Sequence, residues 1–320
     1  MKLIAAFLIA GVTSILLTPL VGRLAQRLGA IVQPDARRAH ERPTPTGGGI
    51  AIYVGFWLGL LIVGWPPSWS TLVLLVASAL LLVVSFIDDV RRLSPLLRLA
   101  VHLFVAVFVW AGFPSGGWPW PGGIAIHGLT WPLHSGGGTY LALGKWSLLL
   151  TLVWIVLIIN SMNWLDGLDG LAGGVGAIAA ITLALLARAR GAFEVSIMGA
   201  ALAGAALGFL RYNVKPARIF MGDSGAMFLG LALACMSIMG TLKGPTLVAI
   251  AGPLLILGVP IYDAVSTIIR RLRQRRPLHV ADREHVHHRL LSRGWSEERV
   301  VMVLWLVSGA LSTAALILVR

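Results

Sequence analysis

Long apolar runs alternate with short polar segments along the whole chain. Reading the runs against this punctuation predicts ten helices: roughly Leu3–Leu20, Gly48–Trp65, Thr71–Ile87, Leu96–Phe113, Trp146–Asn160, Leu171–Ala187, Val195–Leu210, Gly225–Thr241, Pro245–Ile269 and Val300–Val319. Apolar runs of about 17–25 residues are what bilayer-spanning helices require. The pattern therefore predicts an all-α integral membrane protein, one polytopic domain over residues 1–320. The run Trp146–Asn160 is the shortest, and its helix is expected to continue into the polar segment that follows. The first run follows Lys2 in the manner of a signal peptide, but no small-x-small cleavage site follows it, so it is taken as the first span.

Composition sharpens this picture. Hydrophobic residues make up 57% of the 320, charged residues only 12%, and mean hydropathy is +0.85. These values exclude an ordinary soluble enzyme and a disordered chain. The lone cysteine, Cys235, excludes a disulfide framework and a cysteine metal site. A net charge of +13 in a soluble protein points to nucleic acid; between membrane spans it points to topology, and no nucleic-acid partner is expected.

The connections after helices one, three, five, seven and nine share one side. With the residues just inside their flanking helices, they carry five, three, zero, three and nine basic residues, 20 of the 26. The positive-inside rule makes this side cytoplasmic and puts both termini outside. Twelve of the 13 acidic residues lie on the same side, Glu194 being the exception. Acidic residues barely affect topology, so the cytoplasmic face needs carboxylates for another reason. The loops expected to form that active face are 21–47, 88–95, 161–170, 211–224 and 270–299. The longest external connection, Pro114–Lys145, is rich in Gly, Pro and Trp. Weak alternation over Gly123–Leu133 predicts a small β-hairpin there, with Trp118, Trp120 and Trp131 at headgroup depth.

Five segments of the cytoplasmic side carry candidate chemistry. Asp88-Asp89, in FIDDVRRLSP, is a carboxylate pair that needs a metal, basic neighbours or a shared proton; Arg91 and Arg92 follow at once. In NSMNWLDGLDGLAGG, Asn160, Asn163, Asp166 and Asp169 recur every three residues, which on a helix makes one slowly drifting polar stripe without a basic residue. In RIFMGDSG, Asp223 lies between glycines at a helix start, where it either caps the helix or faces a metal or phosphate. The fourth segment is a run of arginines ending in Asp282-Arg283-Glu284-His285-Val286-His287-His288-Arg289. It lacks the thiolates common in zinc sites and suits a phosphate better. The fifth, ERPTPTGGG before helix two, offers successive backbone amides to an anion or serves as a hinge. Two ionisable residues, His102 and Asp263, fall inside spans and are functional candidates on cost alone.

Together the carboxylates and the ring of arginines and histidines suit magnesium bound with phosphates, and attack of one phosphate on another. At this point DDVRRLSP, NSMNWLDGLDGLAGG, RIFMGDSG and DREHVHHRL resemble, in order and spacing, the signatures of the polyprenyl-phosphate N-acetylhexosamine-1-phosphate transferases (glycosyltransferase family 4). The resemblance covers essentially the whole chain. It implies a Mg²⁺-dependent phosphotransferase of the bacterial inner (cytoplasmic) membrane, with Mn²⁺ as a substitute metal and a homodimer as the assembly. Its partners are a UDP-N-acetylhexosamine, undecaprenyl phosphate and membrane lipids. By motif, the resemblance makes Asp88, Asp89 and Asp166 catalytic and gives the metal to Asp223 and Asp89. It makes Asn163, Asp169, Phe220, His285, His287 and His288 substrate-binding. Val286 interrupts the histidine run, which resembles the branch that transfers GlcNAc-1-phosphate rather than phospho-MurNAc-pentapeptide. The expected reaction converts UDP-GlcNAc and undecaprenyl phosphate to undecaprenyl-pyrophosphoryl-GlcNAc and UMP, to initiate a surface glycan such as teichoic acid or lipopolysaccharide. The rivals are transfer of another HexNAc-1-phosphate and, in a different class, a lipid transporter, whose sites usually lie near the bilayer midplane between repeated halves.

Overall fold

The computed structural model describes residues 1–33, 43–113, 122–131, 139–241, 246–276 and 285–318. Residues Glu41, Arg42, Trp118, Trp120, Asp282, Arg283 and Glu284, named above, lie outside them.

The apolar runs fold as helices: α1 (Lys2–Arg27), α2 (Gly49–Gly64), α3 (Trp69–Arg91), α4 (Pro95–Ala111), α5 (Trp146–Leu165), α6 (Leu171–Ala189), α7 (Phe193–Asn213), α8 (Gly222–Thr241), α9 (Thr246–Ile256), α10 (Gly258–Arg273), α11 (Val286–Leu291) and α12 (Glu297–Leu318). Serine side chains cap two of them, Ser68 at α3 and Ser94 at α4, each accepting from the amide three residues on. Helix α5 does continue past Asn160, as its sequence implied.

The chain is a multi-pass helical membrane protein. Among the described residues, α1, α3, α5, α6, α7, α8 and α12 are long and apolar enough to cross a bilayer, while α2 and α4, apolar too, have 16 and 17 residues. The ninth expected span is not one helix. It breaks at Leu257 into α9 and α10, because Pro253 and Pro260 each remove a backbone donor from the ladder.

The helices sort by exposure. In α6, α7 and α8, 78–83% of the apolar window is buried inside the protein, against 28% in α1 and α12. The first three therefore form the centre and the others face outward. Packing is close because side chains are small. Helix α1 crosses α7 at Gly11 and Gly204, where a β-carbon on Gly204 would lie 2.1 Å from the Phe7 carbonyl oxygen.

The expected small hairpin is present, as β3 (Gly128–Trp131) paired antiparallel with β4 (Thr139–Ala142), so its return strand lies beyond Leu133. A second short pair, β1 (Ile31–Val32) with β2 (Thr44–Pro45), was not anticipated. It delivers the Gly-rich segment before α2 to the start of α8.

Candidate active site

The site forms where the C-terminal ends of α3 and α5 meet the N-terminal ends of α4 and α8. Asp88 and Asp89 lie within the last turn of α3, not in a loop after it. Asp89 faces the start of α8: its Oδ1 accepts from the Asp223 amide at 2.8 Å and its Oδ2 from the Ser224 amide at 3.2 Å. These are amides that a helix start leaves unpaired, and a carboxylate suits the positive end of the helix dipole. The turn needs Gly222. Its φ is +74°, and a β-carbon there would lie 2.6 Å from both Asp89 Oδ2 and Thr46 Oγ1.

Asp223 is thus the first-turn carboxylate of α8, not its cap, and its side chain points to other helices. Asn163 Nδ2 of α5 donates to its Oδ1 at 2.8 Å, and an Arg98 guanidinium nitrogen of α4 to its Oδ2 at 3.2 Å. The same nitrogen lies 3.3 Å from Asp88 Oδ2, while Asp88 Oδ1 accepts from the Leu93 amide at 2.5 Å. Arg98 therefore bridges two carboxylates. Arg91 and Arg92, expected to neutralise the aspartate pair, are exposed, and Arg92 is the left-handed residue that ends α3. The sequence signal for Arg98 was available but weak: a single arginine in the first turn of an apolar helix.

The polar stripe of the second motif splits. Helix α5 ends at Leu165, so Asn160 and Asn163 remain on a helix, while Asp166 and Asp169 lie in the turn before α6. Asp169 is 8% exposed and its Oδ2 accepts from the Ala217 amide at 2.9 Å, tying this turn to the segment before α8. Asn213 supports the same tie by accepting from the Gly170 amide and donating to the Ile219 carbonyl. No hydrogen bond engages the Asp166 carboxyl among the described residues. Desolvation, then the fields of Asp223, Asp89 and Asp169, push it up to about 8.

Two amides of the Gly-rich segment are taken up by the segment before α8. Those of Gly48 and Gly49 donate to the Phe220 and Met221 carbonyls, and the Phe220 amide donates back to Pro45. A β-carbon on Gly49 would lie 2.1 Å from Gly225, so the two backbones touch. The segment clamps the Phe220–Asp223 turn. Phe220 sits half-buried within that clamp.

The histidines come to the Asp166 turn from the other side. Asp263 of α10 is 1% exposed; its Oδ2 lies 2.8 Å from His285 Nδ1, and its Oδ1 accepts from the Val286 amide at 2.7 Å. Asp263 is thus paired, and it fixes the start of α11. The interrupting Val286 packs against a small apolar cluster with Leu165, Leu171 and Val300. The His285 ring is 5.7 Å from Trp164 and stacks parallel to His287 at 5.9 Å, with His288 4.3 Å beyond. His287 is 1% exposed, and both its nitrogens are buried without a partner among the described residues. Burial and then the field of His288 push its ring down to about 3, so it is neutral. It packs on Gly167, where a β-carbon would lie 2.3 Å from His287 Nε2.

A fit to a divalent cation is partial. No three His, Cys, Asp or Glu side chains form a ready ligand set among the described residues. The donors near Arg98 are hard oxygens, of the kind Mg²⁺ takes when it shares its coordination with substrate phosphates. Crowded carboxylates bridged by one arginine accommodate further positive charge, and the orphan imidazole nitrogens of His287 call for a hydrogen-bonding ligand.

Carboxylates, an arginine and the neutral His287 imidazole thus gather at the ends of apolar helices of a membrane protein. The chain belongs to glycosyl transferase family 4, whose model matches residues 71–241. Among its relatives is a probable undecaprenyl-phosphate N-acetylglucosaminyl 1-phosphate transferase of Bacillus subtilis (strain 168), 34% identical over 317 residues, 99% of this chain and 85% of the relative. A decaprenyl-phosphate N-acetylglucosaminephosphotransferase of Mycobacterium tuberculosis (strain ATCC 25618 / H37Rv) is 36% identical over 338 residues, 96% of this chain and 80% of the relative. A phospho-N-acetylmuramoyl-pentapeptide-transferase of Halalkalibacterium halodurans is 32% identical over 329 residues, 96% of this chain and 93% of the relative.

Proposed function

We propose that this protein transfers GlcNAc-1-phosphate from UDP-GlcNAc to undecaprenyl phosphate at the cytoplasmic face of a bacterial inner membrane, releasing UMP. The observation that carries the reading is the convergence of Asp88, Asp223, Asn163 and Arg98 from four helices at one end of the bundle. Relatives named for the same transfer support it.

An oxygen of the lipid phosphate attacks the β-phosphorus of the nucleotide sugar. The new P–O bond forms as the bond from that phosphorus to the bridging oxygen breaks, and UMP leaves with the bridging oxygen. Arg98 is placed to hold a phosphate, and Asp88 opposite it orients the lipid phosphate or takes its proton. Desolvation and the neighbouring carboxylates raise the pKa of Asp166, so it holds a proton more readily than an ordinary aspartate and can donate a hydrogen bond to a phosphate. Asp89 keeps the start of α8 in place. Asp169 and Phe220 shape the nucleoside side, and His285, His287 and His288 receive the rest of the nucleotide sugar. Asp223 and Asp89 would hold Mg²⁺, or Mn²⁺ in its place, which supplies charge neutralisation between the two phosphates when bound. The five polar segments then form one active face of a single domain, with both termini on the opposite side, and the assembly is a homodimer.

Membranes containing the protein, given UDP-GlcNAc, Mg²⁺ and undecaprenyl phosphate, should release UMP and form a lipid-linked sugar. Absence of release with every UDP-HexNAc overturns the reading. Faster release with UDP-MurNAc-pentapeptide assigns the other branch.

A further inference from the structure

A second polar layer lies one turn deeper in the bundle than the site, and none of the roles above uses it. His102 of α4 is 2% exposed. Its Nδ1 is 3.2 Å from Asn160 Nδ2 of α5, and its Nε2 is 3.3 Å from the Met227 sulfur of α8. Asn160 Nδ2 also donates to the Val156 carbonyl at 2.7 Å, and Ser85 Oγ of α3 donates to the same sulfur at 3.0 Å. An amide nitrogen has two hydrogens and accepts nothing, so Asn160 donates to Nδ1. The ring is then neutral, with its hydrogen on Nε2 directed at the sulfur. The chain Asn160→His102→Met227←Ser85 is closed, with each donor hydrogen matched to an acceptor.

The placement of its members is systematic. Ser85 precedes Asp88 by three residues, His102 follows Arg98 by four, Asn160 precedes Asn163 by three and Met227 follows Asp223 by four. Residues three or four apart stack on one helix face. Each helix that contributes a side chain to the site is thus tied to the others directly below that side chain. Apolar packing between membrane helices tolerates small slides and rotations; directional bonds in a dry interior tolerate fewer.

We propose that His102 is a positioning residue of the transfer site, whose ring sets the height and rotation of α3, α4, α5 and α8 so that Asp88, Arg98, Asn163 and Asp223 meet. The proposal rests on the reading of that site as one of phosphosugar transfer.

The test uses the full-length protein, purified in detergent, with three variants. His102→Leu removes both bonds, His102→Gln retains one acceptor and one donor, and Met227→Leu removes only the sulfur acceptor at nearly constant volume. The readouts are kcat, KM for UDP-GlcNAc and for undecaprenyl phosphate, and Tm. His102→Leu should lower kcat at least tenfold with both KM values within twofold, and His102→Gln should recover it to within threefold of wild type. Met227→Leu should lower kcat about fivefold without a change in Tm. If His102→Leu does not fold, the Met227→Leu result decides. Folded leucine variants with wild-type kcat overturn the proposal, and so does His102→Gln as inactive as His102→Leu. A wild type that releases no UMP from any UDP-HexNAc overturns the proposed function instead, and this inference falls with it.

Discussion

Replacing Arg98 with Met probes the centre of the site. One guanidinium nitrogen lies 3.3 Å from Asp88 Oδ2 and 3.2 Å from Asp223 Oδ2. At an effective dielectric of about 20, each contact corresponds to roughly 5 kcal/mol of bare Coulomb attraction. The side chain is 33% exposed, so solvent screening and desolvation remove well over half of that. If about 2 kcal/mol of the remainder is realised on the phosphates in the transition state, loss of the charge lowers kcat/KM about thirtyfold. Methionine keeps most of the stem's packing, so the loss should be electrostatic and the fold should hold. The same substitution removes a cation that competes with a metal for Asp223. The Mg²⁺ concentration for half-maximal rate should therefore fall or stay level while the rate drops. UMP release measured against Mg²⁺ concentration, for wild type, Arg98→Met and Arg98→Lys, reads both effects. Activity of Arg98→Met within threefold of wild type, or a raised Mg²⁺ requirement, refutes the reasoning.

Asp223→Asn should lower UMP release at least a hundredfold with little change in Tm, because the first turn of α8 keeps its amide bonds to Asp89; undiminished release removes Asp223 from the metal site. Asp166 titrates near 8 in the fold against 3.8 ordinarily, so the folded state binds more protons between those values and stability falls as pH rises across that window. In EDTA, the Tm of wild type should therefore fall relative to that of Asp166→Asn from pH 5 to pH 8; parallel slopes by differential scanning fluorimetry contradict the assignment. Gly167→Ala places a methyl group where His287 packs, at about 1–3 kcal/mol. It should raise KM for the UDP-sugar about tenfold with kcat less affected, and an unchanged KM shows that the histidine position is not coupled to that substrate.

The helical membrane class was legible because its cause is local. A bilayer asks each segment separately for length and apolarity, and runs such as those of α3 and α7 answer within themselves. Asp88, Asp89, Asp166 and Asp223 stood out as candidates because carboxylates are scarce in this chain, and the structure brings Asp88, Asp89 and Asp223 together. The broken ninth span was less legible, because Pro253 and Pro260 sit inside an unbroken apolar run. Pairing was not legible at all. Arg91 and Arg92 adjoin the aspartates in sequence, yet the helix end at Arg92 turns away and Arg98 returns from the next helix. Likewise Asp263 is one polar residue in a span until α11 brings His285 to it.

The sequence by itself determined that this is a polytopic membrane protein whose charges gather in a few connections, because hydropathy and charge are properties of each segment alone. Only the tertiary structure decided which carboxylate caps α8, which is bridged by Arg98 and which is left without a hydrogen bond. Those outcomes depend on how helices distant in sequence are rotated and raised against one another. Contacts one turn below the site, between side chains up to 142 residues apart, hold that arrangement.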